Sequence, residues 1–338
     1  MADRYWVGGA GTWDTTSTTN WSTSTGGGSG ASVPTSADSV FFDQAGTYTV
    51  TMTGSLACLD ITVSAGTVTF ASGAGPSLAI YGSMTLIAGT VWSTTGGIAL
   101  QAATTGKTIT TNGVSITSTI NCNSAAGGWT LGSALTCVSI NFSNGTFSTS
   151  ASNYSITASG SLAVGGGTLN LNDSTISLSG GAPFTYTSGT VTGTGIISLT
   201  RATAKTFAGG GYTFNCTLNQ GGAGALTITG SNTFSNITNT YNATGATTIQ
   251  FTAGTTNTFT DWNASGAAGK LLIIGSVTAA SHTLSKASGT VNASFLSISY
   301  STAAGGATWN ATDSIDSGNN TGWNITAPVS SVGFLLFF

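Results

Sequence analysis

Along most of this chain, apolar and small polar residues alternate one for one. Leu59, Ile61 and Val63 fall on one phase, while Asp60 and Thr62 fall on the other. Val138-Ile140-Phe142, Leu162-Val164, Leu169-Leu171, Ile176-Leu178, Leu226-Ile228, Ile249-Phe251 and Leu296-Ile298-Tyr300 repeat the pattern. Successive side chains of a strand face opposite sides, so this is the mark of short, half-buried strands with Leu, Ile, Val and Phe inward and Thr, Ser and Asn outward. No long stretch places helix formers at 3.6-residue spacing. The expectation is an all-β protein with almost no helix.

Strands this short cannot bury a face alone, and a Gly-Thr step between them supplies a period. It recurs at Gly46-Thr47, Gly66-Thr67, Gly89-Thr90, Gly145-Thr146, Gly167-Thr168 and Gly189-Thr190, at intervals of 20, 23, 56, 22 and 22 residues by subtraction. A repeat of this size, with glycine at corners where φ must be positive, fits a coiled stack of strands. Two-residue hairpin turns are not the organising device, because Asn-Gly occurs at Asn112-Gly113 and Asn144-Gly145 alone and Asp-Gly is absent. The reading is a parallel β-helix over residues 46–300, of about 11 coils and on the order of 55 Å long at a strand spacing of about 4.8 Å, around one apolar column. The repeat is less regular over 90–145 and 190–290, and the coil register stays open there.

The two ends differ from the middle. Residues 1–45 carry Trp6, Trp13 and Trp21 in a Gly/Ser/Thr-rich stretch leading to Phe41-Phe42. Such an aromatic group either caps the open end of a solenoid or docks on a partner. Residues 301–326 hold Trp309, Trp323 and the run DSIDSGNN, which reads as Asx turns closing a last coil. A calcium loop would need a terminal Glu, and the chain has none. Residues 327–338 form an apolar tail in which Phe334, Leu335, Leu336, Phe337 and Phe338 are expected to bury against a neighbouring subunit or partner, the alternative being an end folded back on its own last coil.

Charge changes the picture by its scarcity. Six basic residues and nine acidic ones, all Asp, leave a net charge of −3 over 338 residues. The basic residues are scattered, so no stripe for nucleic acid exists. The opening MADRYWVGG lacks the apolar segment of a secretory leader, and no apolar run is long enough to span a bilayer, an expectation of assembly inside a cell.

Catalysis and cofactors find little support. Asp173 is the single acid between residues 61 and 260, so the paired carboxylates of a glycan-cleaving groove have no source along most of the coils. His282 is the only histidine; no Ser sits in a nucleophile elbow, and the ring reads as a surface residue on an outward strand position. Cys58, Cys122, Cys137 and Cys216 contain no C-x-x-C pair and read as buried, reduced thiols. The expectation is no enzyme, no cofactor and no metal.

The opening YWVGGAGTWDTTSTTNW with SVPTSADSVFFD, and the ending LSISYSTAAGGATWNATDSIDSGNNTGWNI, resemble the flanks of right-handed parallel β-helix proteins of tailed bacteriophage virions and related bacterial surface proteins. The resemblance implies a virion fibre, spike or head or tail decoration that contacts a host surface or glycan. Its implied partners are other virion proteins and copies of itself, for instance in a trimer. The other role it allows is a bacterial surface adhesin or self-assembling extracellular filament. No catalytic residue carries over.

Overall fold

The computed structural model describes residues 2–328. It is an all-β, parallel β-solenoid of about 13 turns among the described residues. The single helical element described is the 3-10 turn Thr240–Ala243. The chain divides into two compact units, one up to Ile197 and one from Ser198 onward.

In the first unit each coil contributes strands to three faces. The first face stacks Ser39–Phe42, Ile61–Val63, Met84–Thr85, Lys107–Thr110, Gly128–Leu131 and Thr146–Ser148. The second stacks Thr47–Met52, Thr67–Ser72 and Val91–Trp92 before passing to the start of Ser115–Cys122. The third stacks Ser55–Cys58, Ser77–Ile80 and Gly97–Leu100. These neighbours pair in parallel. The sequence forces that choice, because each strand is only half apolar and its inward residues meet their like one coil away.

The third face shows this most regularly. Leu56, Leu78, Ile98, Ile120, Ile140, Leu162 and Phe184 stand in register, 22, 20, 22, 20, 22 and 22 residues apart by subtraction. All seven are buried. Each such side chain taken from water contributes about 1.5–3 kcal/mol, and nearly all of that gain requires the neighbouring coil to be present.

Two of the sequence expectations shift. The strands do not stop at the boundaries read at 45 and 300. Asp3–Trp6 pairs in parallel with Ser39–Phe42, and Gly11–Trp13 with Thr47–Met52. At the other end Ser301–Ala304 pairs with His282–Ser285, and Trp323–Ile325 with Thr308–Thr312. These outer strands add coils to the 11 expected over 46–300.

The 56-residue interval is the second shift. Thr47 and Thr67 are partners on the second face, whereas Thr146, Thr168 and Thr190 are partners in the first-face column. The Gly-Thr step therefore moves from one corner of the coil to another, and 56 is about two and a half coils rather than a whole number.

At these corners glycine is required. All six repeat glycines have positive φ, from 63° at Gly167 to 100° at Gly189. A Cβ on Gly167 would lie 2.4 Å from the Gly145 carbonyl oxygen of the coil beside it. At Gly113, with φ of 86°, a Cβ would meet nothing within 4 Å.

In the second unit, Leu226, Ile249, Ile274 and Ile298 form an inward ladder, and Phe214, Phe234 and Phe259 stack above one another. The core is not the purely apolar column expected. Lys205, Gln220, Asn232, Asn257 and His282 are all buried within it. Lys205 heads the Leu226 column, and its Nζ donates to the carbonyls of Arg201, Gly222 and Gly224 at 3.1, 3.3 and 2.6 Å. Burial lowers its pKa to about 8.

The two kinds of corner glycine predict different costs. Gly113→Ala should lose about 1 kcal/mol, from backbone strain alone. Gly167→Ala should lose on the order of 3 kcal/mol or more, because the adjacent coil must also move. Chemical unfolding of the two variants checks this, and equal losses would show that the stacked corner is not sterically closed.

Candidate functional surface

The predicted tryptophans lie inside the first unit. Trp6, Trp13 and Trp21 are 0, 1 and 0% exposed. Asp3–Trp6 meets Trp21–Ser22 in an antiparallel pair, and this brings the rings of Trp6 and Trp21 edge to face at 5.2 Å. All three rings lie about 6 Å from Phe42, which contacts Phe70, which in turn contacts Trp92. All three rings are thus part of the buried core of this unit. Phe334, Leu335, Leu336, Phe337 and Phe338 lie outside the described residues.

His282 corrects an expectation. It is 0% exposed, stacked on Phe251 at 4.7 Å, with Ser276 Oγ 2.8 Å from Nδ1 and Nε2 without a partner. Its strand alternates inward at His282 and Leu284. The leucine two residues on therefore carried the signal that was missed. Burial lowers the imidazole pKa to about 4. The four cysteines are buried and free, and burial pushes the thiols of Cys137 and Cys216 up to about 12 and those of Cys58 and Cys122 up as well.

The carboxylates hold turns and strand ends. Asp14 accepts from the backbone N–H groups of Ser17 and Thr16, which lower its pKa. Asp38 is pushed up by burial but held below the ordinary range by Thr35, Arg4 and Ala2. Asp60 accepts from the Ser83 N–H at 2.6 Å and from Ser39 Oγ at 3.0 Å. Asp173 is bonded by the Thr194 hydroxyl, and Asp316 accepts from the Gly318 N–H at 2.9 Å in the Asx turn read from the sequence. Asp261 lies 3.6 Å from Lys286 Nζ.

What faces solvent is a set of uncharged columns. On the first face Thr108, Thr130, Ser148, Asn170 and Thr192 stand in register over five coils, beside Thr146, Thr168 and Thr190. On the third face Asn141 Nδ2 donates to Asn121 Oδ1 at 2.9 Å. In the second unit Asn324, Asn310 and Asn292 form an exposed amide ladder, each donating to the next at 3.1 and 3.0 Å. Such ladders satisfy side-chain polar groups along the stacking direction without charge.

One irregularity breaks the second face. Thr47–Met52 pairs with Thr67–Ser72 over six residues, but Val91–Trp92 meets Ser115–Cys122 through the single pair Trp92 and Ile116, beside a bulge. A cleft of ≈ 420 Å³ opens there between residues 88–93 and 112–117. Val91 is 46% exposed on it, and the Thr90 hydroxyl below has no partner. Thr117 Oγ1 bridges the break, lying 2.7 and 2.9 Å from the carbonyl oxygens of Trp92 and Thr94 with its single proton shared between them. Sequence reading missed the cleft. The available signal was the lapse of alternation at Leu86-Ile87-Ala88, opposite Asn112-Gly113.

Fold and surface together define a parallel β-solenoid with charge-poor, hydroxyl- and amide-bearing faces. No known protein family, curated protein or solved structure matches the chain. Among the described residues no helix is long and apolar enough to cross a membrane.

Buried His282 sets a pH dependence. Its pKa is near 6.5 when unfolded and about 4 when folded, so the unfolded chain takes the proton first. Stability is therefore full above about pH 6.5 and falls as the pH drops toward 4, by about 3 kcal/mol in all. Urea unfolding between about pH 7 and pH 4.5 should show this slope, and it should be shallower in His282→Phe.

Proposed function

We propose that this chain is a noncatalytic structural subunit of a virion, a fibre or a head or tail decoration, whose solenoid faces contact a host surface or glycan. The observation that carries the reading is the surface itself: columns of Thr, Ser and Asn repeat over successive coils. The few carboxylates named above are spent on turns, strand ends and one ion pair rather than gathered in a groove. A surface of this kind presents many weak, uncharged hydrogen-bonding groups at fixed spacing, which suits repeated contact with polyhydroxylated surfaces and tight packing in an assembly. The apolar residues 334–338 are the segment we assign to docking on other virion proteins or on further copies of the chain.

Mass spectrometry of purified, nucleic-acid-filled particles tests the proposal. The chain should be present there in stoichiometric amount. Its recovery from cell envelopes alone, with none in particles, would favour the surface adhesin or extracellular filament instead.

A further inference from the structure

We infer that the cleft between residues 88–93 and 112–117 is a binding site for a neutral saccharide unit. This rests on the glycan-contact part of the function proposed above and assigns that contact to one place in the fold.

The site arises because the second face narrows. Six residue pairs join the coils at Thr47–Met52 and Thr67–Ser72, and only one pair joins them at Trp92 and Ile116. Strands in register leave no room between coils at a spacing of about 4.8 Å, so a ligand-sized space exists only where the ladder lapses. The volume, ≈ 420 Å³, lies in the range of small-molecule sites.

The chemistry of the lining selects the ligand class. Val91 and Val114 give it an apolar floor, and Ser93, Asn112, Ser115 and Thr117 stand exposed around it. No charged residue lines the cleft, so it offers nothing to compensate an ionic ligand for lost hydration. Ser93 Oγ and Thr117 Oγ1 already donate to backbone carbonyls and can accept from a sugar hydroxyl, while Ser115 and the Asn112 amide can both donate and accept, and the C–H face of a pyranose packs on the exposed valine. The walls are held from behind. Asn112 Nδ2 donates to the Leu86 carbonyl at 2.7 Å, and Thr117 ties the two coils together through Trp92 and Thr94.

The test is binding of the full chain to an array of neutral oligosaccharides, compared with Ser115→Trp and Ser93→Trp, which fill the cleft from its two sides. Thr157→Trp is the control. That residue is exposed on the same face, two coils from Ser115, with Thr136 between them. The expected result is binding by the wild-type chain and by Thr157→Trp, with at least about a tenfold loss in both cleft variants while their thermal unfolding is unchanged. Should one cleft variant fail to fold, the other decides. Wild-type binding that survives in the cleft variants overturns this site and leaves glycan contact standing elsewhere on the solenoid. Absence of neutral-glycan binding by the wild-type chain overturns the site as well, while the particle measurement still decides the structural role.

Discussion

A short strand with one apolar face is unstable by itself, and the structure depends on meeting that constraint by repetition. Each coil covers the inward residues of the last one, as in the ladder from Leu56 to Phe184. The same stacking pairs the backbone amides and carbonyls, so hydrophobic burial and hydrogen bonding are satisfied by one operation. Near the start of the chain the core is built of large rings. Trp6, Trp13 and Trp21 are buried against Phe42.

Stacking also dictates the surface. Outward residues recur in the same register as inward ones, so any preference for Thr or Asn becomes a column. Like charges stacked at strand spacing would repel at every coil, which gives a physical reason for a chain with 15 charged residues in 338. Three of the six basic residues are held locally. Lys205 is caged by carbonyls, Lys270 donates to the Ala243 carbonyl at 2.5 Å, and Lys286 pairs with Asp261. A surface organised this way has repeated weak contacts to offer, and the break beside Val91 is where we place a discrete ligand.

The second unit departs from a uniform apolar interior, and several of its buried amides have partners, although Gln220 Oε1 and His282 Nε2 do not. Gln220 Nε2 donates to the Gly224 carbonyl at 2.8 Å and to Thr247 Oγ1 at 2.7 Å, and Asn232 Nδ2 donates to Asn257 Oδ1 at 3.2 Å. Such groups are costly in a core unless bonded, and the Gln220–Thr247 and Asn232–Asn257 bonds link residues one coil apart. They fix which coil sits on which in a stretch where the Gly-Thr repeat has faded from the sequence.

Much was legible from residue order alone. Alternation with period two sets strand length and face, and recurrent glycines set the corners, because both are properties of neighbouring residues. The all-β class, the parallel coils, the buried thiols and the Asx turn at Asp316 follow from these. Whatever depends on one coil meeting another was decided by tertiary structure. The Gly-Thr step changes corners between Gly89 and Gly145, a half-coil offset that one-dimensional spacing shows only as an odd interval. His282 goes inward against Phe251 and the tryptophans are enclosed against Phe42 by contacts that linear order does not show, and the cleft at Val91 opens because two coils join there through one residue pair. The sequence determined the coil by local stereochemistry; only the stack, through contacts between coils, decided what is covered and what is left open.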